Sequence, residues 1–506
     1  DGALNTTGTP EGLRADAGSS GSTFRSLRMA GWGASAGYAL HLYSSDNHVV
    51  EGCWFGLDAS GAGTTASTSR TGIAVRGSSG NRIGGTTAAQ RNVISKSNTW
   101  GVYLYGGSNN SLQGNYIGTD ATGTLAAGNY IGIANYAVSS TIGGPAAGAG
   151  NLFAANSSNH LLVDTNLGNV PAASATVQGN TFGLSATQAA ITSASPAILV
   201  AGVTSTRIGG TGAGEGNTLA NATGAGVALT SGARGVTIQG NSIHATGGLG
   251  IDLGNDGVTA NDDALVPGAI NQGMDHPVIL EAGVDATGGS LTLTGQVGAH
   301  AGVAAFAGSR VEVFKSDNHA SGYGGGRTFL GSLVADASGR FTGTLSFAPG
   351  TLAVGDKLTA TATSPAGDTS EFGPNWTAAS MASLSPSGLN AFESSTPANS
   401  LTGVLQTKTA GTPATIDVIV LNSLGTGLHA AFNNTVTLEW MNAADNTGTL
   451  DARNCRSSWT ALGTAGTVTF AAGDGARRSV TLTPPDAGRQ WRLRLIHSFL
   501  ILGGIV

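Results

Sequence analysis

Short apolar triplets punctuate the first half of the chain: Ile73-Ala74-Val75, Val102-Tyr103-Leu104, Ile198-Leu199-Val200 and Val227-Ala228-Leu229. Gly, Asn, Ser and Thr break them apart, and no ten-residue amphipathic helix or leucine framework appears. Each triplet predicts a short strand whose outer residues point inward and whose middle residue points out. Gly supplies the φ > 0 corners between strands, and Asn tolerates them too. The pattern is already present at Phe24-Arg25-Ser26-Leu27 and at Tyr38-Ala39-Leu40-His41-Leu42.

Two motifs recur in a fixed order. Gly-Asn-x-[Ile/Phe] stands at Gly114, Gly179 and Gly240, after a degenerate copy at Gly52-Cys53-Trp54-Phe55, in steps of 62, 65 and 61 residues. Between them lie IGGTTAAQRNVIS from Ile83, IGGPAAGAGNLFA from Ile142 and IGGTGAGEGNTLA from Ile208, each with an Asn nine residues after the Ile (Asn92, Asn151, Asn217). A period of this length exceeds one propeller blade or one helical pair, but a third of it, about 21 residues, suits one coil of a β solenoid. No such coil buries its apolar face alone, so the coils must stack. A recurrent Asn at one corner can then hydrogen-bond its neighbours above and below. On this division roughly twelve coils fit before residue 265, a rod on the order of 60 Å at about 4.8 Å per coil.

This pair of motifs resembles the repeats of right-handed parallel β-helices in secreted bacterial proteins of the pectin-lyase-like superfamily. The resemblance covers residues 1–268 and implies an all-β chain, secreted or held at a bacterial cell surface. It implies little about activity, because that fold carries lyases, hydrolases, phage tailspikes and adhesins alike. The stack is expected to begin at or before Asp1, with a first coil or cap missing, since solenoids need polar caps.

From 277 to 378 the pattern changes to alternating strands such as Arg310-Val311-Glu312-Val313-Phe314 and Lys357–Thr363, separated by turn clusters. That predicts a β-sandwich, and it resembles the immunoglobulin-like domains that follow such β-helices. After a Ser/Pro/Ala linker, residues 386–506 predict a second sandwich with strands at 416–421, 434–440, 466–470 and 478–482. Its final WRLRLIHSFLILGGIV breaks the alternation, so the domain is expected to be incomplete.

Composition narrows the function. Glycine accounts for 81 of 506 residues, charged residues for 10%, and the net charge is −6. Only 4 of the 23 basic residues are Lys, so nucleic acid and anionic membranes are not expected partners. The longest apolar run, 495–506, is too short to span a bilayer. Cys53 and Cys455 fall in different predicted domains and are not expected to be bridged.

Candidate chemistry is sparse. Asp252, Asn255, Asp256, Asn261, Asp262 and Asp263 crowd a glycine-rich loop whose oxygens could hold Ca²⁺, or could simply form an Asx-rich closing turn. The spacing is not that of an EF-hand. Trp100, Tyr103, Tyr105, Tyr116, Tyr130 and Tyr136 cluster around the central repeats, where they could stack on sugar rings or on neighbouring coils. Arg76, Arg82, Arg91, Lys96 and Arg207 could line one face. Asp58 and Asp120 share a repeat position, which three coils per repeat would put about 14 Å apart, too far for a hydrolytic pair. No catalytic residue is assigned. The reading that follows is a non-catalytic, adhesin-like protein that binds polysaccharide or another surface. A lyase or hydrolase acting in a groove, and a structural filament subunit, stay open beside it.

Overall fold

The computed structural model describes residues 11–380, apart from 33–36, 64–68, 166–172, 193–194 and 301, and the strands beyond residue 400 named below. The chain divides into two compact units, Asp1–Ala378 and Ala379–Val506.

In the first unit the chain runs through three sheets in turn and returns one rung further along. The first sheet has nine strands, Glu11–Ala15, Tyr38–Tyr43, Ser69–Arg76, Ser97–Ser108, Ile131–Val138, Asn159–Asp164, Ile198–Ala201, Val227–Thr230 and Ile251–Leu253, each paired with the next. The second runs in eight strands from Thr23–Arg25 to Val236–Gln239, and the third in eight from Arg28–Met29 to Ser242–His244. Neighbouring strands are parallel throughout. This is a parallel β-helix.

Its core is built of columns of like residues. In the third sheet Phe55, Ile94, Ile117, Phe153, Phe182, Leu219 and Ile243 align and are buried. Phe153 and Phe182 stack with centroids 4.6 Å apart. Val50, Ile83, Leu112, Ile142, Val177 and Ile208 do the same in the second sheet. Full burial of such a side chain contributes roughly 1.5–3 kcal/mol, so the columns drive the stacking.

The coil count departs from expectation: nine among the described residues rather than twelve, and two per repeat rather than three. The two sequence motifs are one corner seen on alternate coils. Asn92, Asn115, Asn151, Asn180, Asn217 and Asn241 all stand at the turn between the second and third sheets, 23, 36, 29, 37 and 24 residues apart. On coils with the IGG motif a loop precedes the Asn. On the others a single left-handed Gly turns the chain, and at Gly114 (φ 64°) any side chain would run into the Gly85 carbonyl.

These asparagines form a continuous ladder. From Asn92 to Asn217, each backbone N–H and each Nδ2 donates to Oδ1 of the Asn one coil on, as from Asn115 to Asn151 (3.0 Å each). Each Nδ2 also donates to a second-sheet carbonyl one coil back, such as Asn151 to Leu112 (2.7 Å). The corner's backbone would otherwise be buried without partners, which costs about 1–3 kcal/mol per group. At the N-terminal end Cys53 takes the Asn position, buried and unbridged. Its N–H donates to Asn92 Oδ1 (2.9 Å), while its Sγ is a weak 3.4 Å acceptor for the Leu27 N–H. Cys455 lies outside the described residues. The other two corners carry shorter versions, Asn81–Asn110 and Asn129–Asn156.

The last coil is covered by an antiparallel sandwich. Pro277–Val284, Ser290–Val297 and Arg340–Ser346 lie in one sheet; Gly326–Val334, Arg310–Ser316, Lys357–Thr363 and Trp376–Thr377 form the other. Phe314 and Phe372 join the β-helix core. Sandwich side chains also accept the N–H groups of the final coil: Glu312 from Gly240 (2.8 Å), Asp317 from Ala245 (2.8 Å), Glu371 from Leu253 (2.9 Å) and Asp368 from Gly235 (2.7 Å). A raw sheet end is thereby closed.

In the second unit Thr402–Gln406, Gln490–His497, Asn434–Met441 and Trp459–Ala461 pair in that order, and Thr467–Phe470 also pairs with Asn434–Met441. Ala414–Val418 pairs with Arg478–Leu482. The segment read as breaking the alternation is thus partly a strand, Gln490–His497, held between two others.

The ladder makes a stability prediction. Asn151→Ala should cost on the order of 3 kcal/mol in chemical denaturation, since it strands the Asn115 donors. Cys53→Asn, which extends the ladder by one rung, should stabilise by about 1 kcal/mol. A loss for Cys53→Asn as large as for Asn151→Ala would contradict the ladder as the corner's organising bond.

Candidate functional site

The three outer faces of the β-helix differ in chemistry. The second sheet turns out Arg82, Ser111, Thr141, Thr176 and Arg207. Its charges are spoken for: Arg82 bonds Glu51 (2.7 Å) and Arg207 bonds Glu215 (2.7 Å). On the third sheet Trp54 and Tyr116 face outward beneath the loops 58–63 and 120–127. Gly61 lies against the Trp54 ring and Gly123 against Tyr116. Asp120 shapes its loop by accepting N–H bonds from Thr124 (2.8 Å) and Leu125 (2.9 Å). Burial pushes its carboxyl up, but these bonds and one from Thr122 outweigh burial and hold it below the usual range. Asp58 and Ser185 make the equivalent turns with Ser60 and with Thr187 and Ala189.

The first sheet carries the aromatics. Register sets two outward columns, Arg14–His41–Ala74–Tyr103–Ala134–Leu162 and Tyr43–Arg76–Tyr105–Tyr136. Trp100 and Tyr38 extend the cluster at the strand starts. Tyr103 lies at its centre, stacked on Trp100 (4.2 Å, 12°) and Tyr105 (5.8 Å, 24°) and edge-on to Tyr136 (5.9 Å). Only 7% of Tyr103 is exposed, and burial pushes its phenol up to about 12. Guanidinium groups lie over the surrounding rings: Arg70 over Trp100 (5.5 Å), Arg76 over Tyr105 (5.7 Å) and Arg14 over Tyr43 (4.6 Å). Arg14 is paired with Asp16 and Glu11. Among the described residues Arg70 and Arg76 have no carboxylate partner, and the buried Arg76 Nε has no acceptor.

Four of the six aromatics singled out by sequence, Trp100, Tyr103, Tyr105 and Tyr136, therefore come together, while Tyr130 is exposed to solvent. Tyr116 is on another face, its ring between the Arg91 guanidinium (4.1 Å) and Gly123. The five cations expected on one face are dispersed; only Arg76 joins the aromatic strip. Arg14, Arg70 and Tyr38 were missed as members. For Arg14 the signal is the alternation itself, since it is an outward position of its strand.

Carboxylates on this face are far apart. Asp164 is on the sixth coil and Asp252 on the ninth, about 14 Å along the axis, where a hydrolytic pair needs about 5–9.5 Å. Glu11 and Asp16 are both bound by the Arg14 guanidinium, and Glu11 also meets His41 Nδ1 (2.9 Å).

The acidic loop divides into separate turns. Asp252 accepts from Asp256 (3.1 Å) and Gly257 (3.3 Å), with Asn255 in the left-handed region at φ 59°. Asn261 exchanges two 2.9 Å bonds with the His276 backbone. Asp262 and Asp263 donate their N–H groups to Asp275 (3.2 and 2.8 Å), and the Asp263 carboxylate turns away to Ala299 (2.7 Å) and His300. No group of three or more His, Cys, Asp or Glu side chains suited to a metal gathers among the described residues. Burial pushes Asp275 up to about 6 and Glu371 up to about 7.

Comparison with known proteins adds little. No family model matches the chain. It is similar to the crystal structure of the Acinetobacter phage vB_ApiP_P1 tailspike protein at 11% identity, over 96% of this chain and 75% of that one, with a TM-score of 0.16. A likeness of that score carries no argument, and the β-helix stands on its sheet topology. No helix among the described residues is long and apolar enough to cross a membrane.

Glu371 sets a pH dependence. Its folded-state pKa lies above the ordinary 4.5, so protonation favours the fold. The stabilisation is present below pH ~4.5 and is lost as pH rises to ~7, on the order of 3 kcal/mol in all. Glu371→Gln removes the titration. Denaturation of both proteins from pH 5 to 8 should show the wild type losing ground to the variant as pH rises. Parallel curves would contradict the assignment.

Proposed function

We propose that this is a secreted or cell-surface β-helix protein that binds a polysaccharide, or a surface displaying one, along the outer face of its first sheet without cleaving it. The observation that carries this reading is the strip of Trp100, Tyr105, Tyr38 and Tyr43 edges flanked by Arg70 and Arg76. Aromatic bodies with polar tips suit sugars, which are apolar on one face and hydroxylated at the rim. Tyr103 is the support of this strip, because its ring is used by its neighbours. The rungs repeat about every 4.8 Å, so an extended polymer lying along the axis would meet successive rungs and gain by multivalency. The separation of the carboxylates supports binding over hydrolysis.

The test is a panel of neutral and uronic polysaccharides, with and without Ca²⁺, read for binding and for new reducing or unsaturated ends. Binding without turnover is expected. Trp100→Ala should weaken it about tenfold with little change in melting temperature, whereas Tyr103→Ala should also destabilise by about 3 kcal/mol. Turnover of any polymer would overturn the non-catalytic reading.

A further inference from the structure

Between the last long corner loop, 209–216, and the sandwich strands Arg310–Ser316 and Gly326–Val334 lies a cavity of about 330 Å³. Small-ligand sites span about 300–1,000 Å³, so this one has room for a ligand of a single ring. One wall is the glycine-rich main chain of Gly210, Gly212 and Gly240, over which the Arg207 and Glu215 side chains lie against Gly210 and Gly212. The other wall is Arg310, Glu312 and Phe329.

These three are arranged to offer donors beside an apolar surface. Glu312 is buried, and both of its oxygens are engaged, Oε2 by the Gly240 N–H (2.8 Å) and Oε1 by Arg310 Nε (3.2 Å). That bond fixes the guanidinium plane and occupies its inner nitrogen. The two Nη groups have no hydrogen-bond partner among the described residues, and the side chain is 34% exposed. Such a pair is a planar fork that matches a carboxylate. Phe329 is 44% exposed and its ring is braced edge-on by Phe314 (5.6 Å, 62°). The other charges at the rim cancel, since Glu215 takes both Arg207 (2.7 Å) and the Gly212 N–H (2.8 Å).

We propose that this cavity is a second binding site, for a single sugar unit carrying a carboxylate, with the Phe329 ring against the sugar and the Arg310 Nη groups on the carboxylate. It is independent of the aromatic strip. The required ligand brings acceptors, because the Arg310 Nη groups are donors and both oxygens of Glu312 are engaged, and brings an apolar ring face of the size of Phe329.

The full chain is titrated by calorimetry with methyl β-D-glucuronide and, as the neutral control, methyl β-D-glucoside. Saturable binding of the glucuronide, about tenfold or more tighter than the glucoside, is expected. Arg310→Gln should abolish that preference, Phe329→Ala should weaken both sugars, and Trp100→Ala should change neither. Phe329 is exposed, so its variant keeps the test open even where Arg310→Gln disturbs Glu312. Absent saturation by the glucuronide, equal affinity for the two sugars, or indifference to both variants would each overturn the site.

Discussion

The asparagine ladder is the constraint from which the rest of this structure follows. A solenoid corner buries backbone N–H and C=O groups that no strand can satisfy, and each one left bare costs more than a typical net hydrogen bond supplies. Asn is the side chain that both donates and accepts from one planar amide, so a column of them can satisfy a column of corners. Once six asparagines are in line, the residues that follow them are in line too. The two residues after each Asn form the third-sheet strand, which sets Ile117 over Ile94 and Phe153 over Ile117. Loops differ in length between coils, because register is restored at the corner.

That freedom is why the sequence misled on the coil count. The repeat and its β character were legible in the triplets and the two motifs. Their relation was not: IGG-x(6)-N and GN-x-[Ile/Phe] look like two features when they are one corner with and without a preceding loop. A signal was present, since Asn92, Asn115, Asn151, Asn180, Asn217 and Asn241 all stand two residues before an apolar residue. The site was half legible. Alternation put Tyr103 and Tyr105 outward, but no local pattern says that a loop 58–63 or 120–127 will lie over Trp54 and Tyr116. Glu312, Asp368 and Glu371 were invisible as closing groups, because their partners are more than 70 residues away.

The same physics divides the molecule's surface. Loops cover the third sheet and ion pairs neutralise the second. The first sheet is left with rings and guanidinium groups stacked rung on rung, where Arg70 and Arg76 have no acidic partner among the described residues. The sandwich takes the place of a polar cap, lending its carboxylates to the last coil's N–H groups and two phenylalanines to its core. Burial of Glu371 and Glu312 in this closure raises their pKa values, so the carboxylates that finish the fold also make it sensitive to pH.

Residue-resolved amide hydrogen exchange tests the ladder most directly. The N–H groups of Cys53, Asn92, Asn115, Asn151, Asn180 and Asn217 each donate to the next asparagine. They should exchange as slowly as the strand amides beside them, such as Val93 and Ile117, in one cooperative unit. Exchange at the rate of the exposed turn around Thr122 would mean that the corners open independently of the sheets, and that the ladder does not hold the coils together.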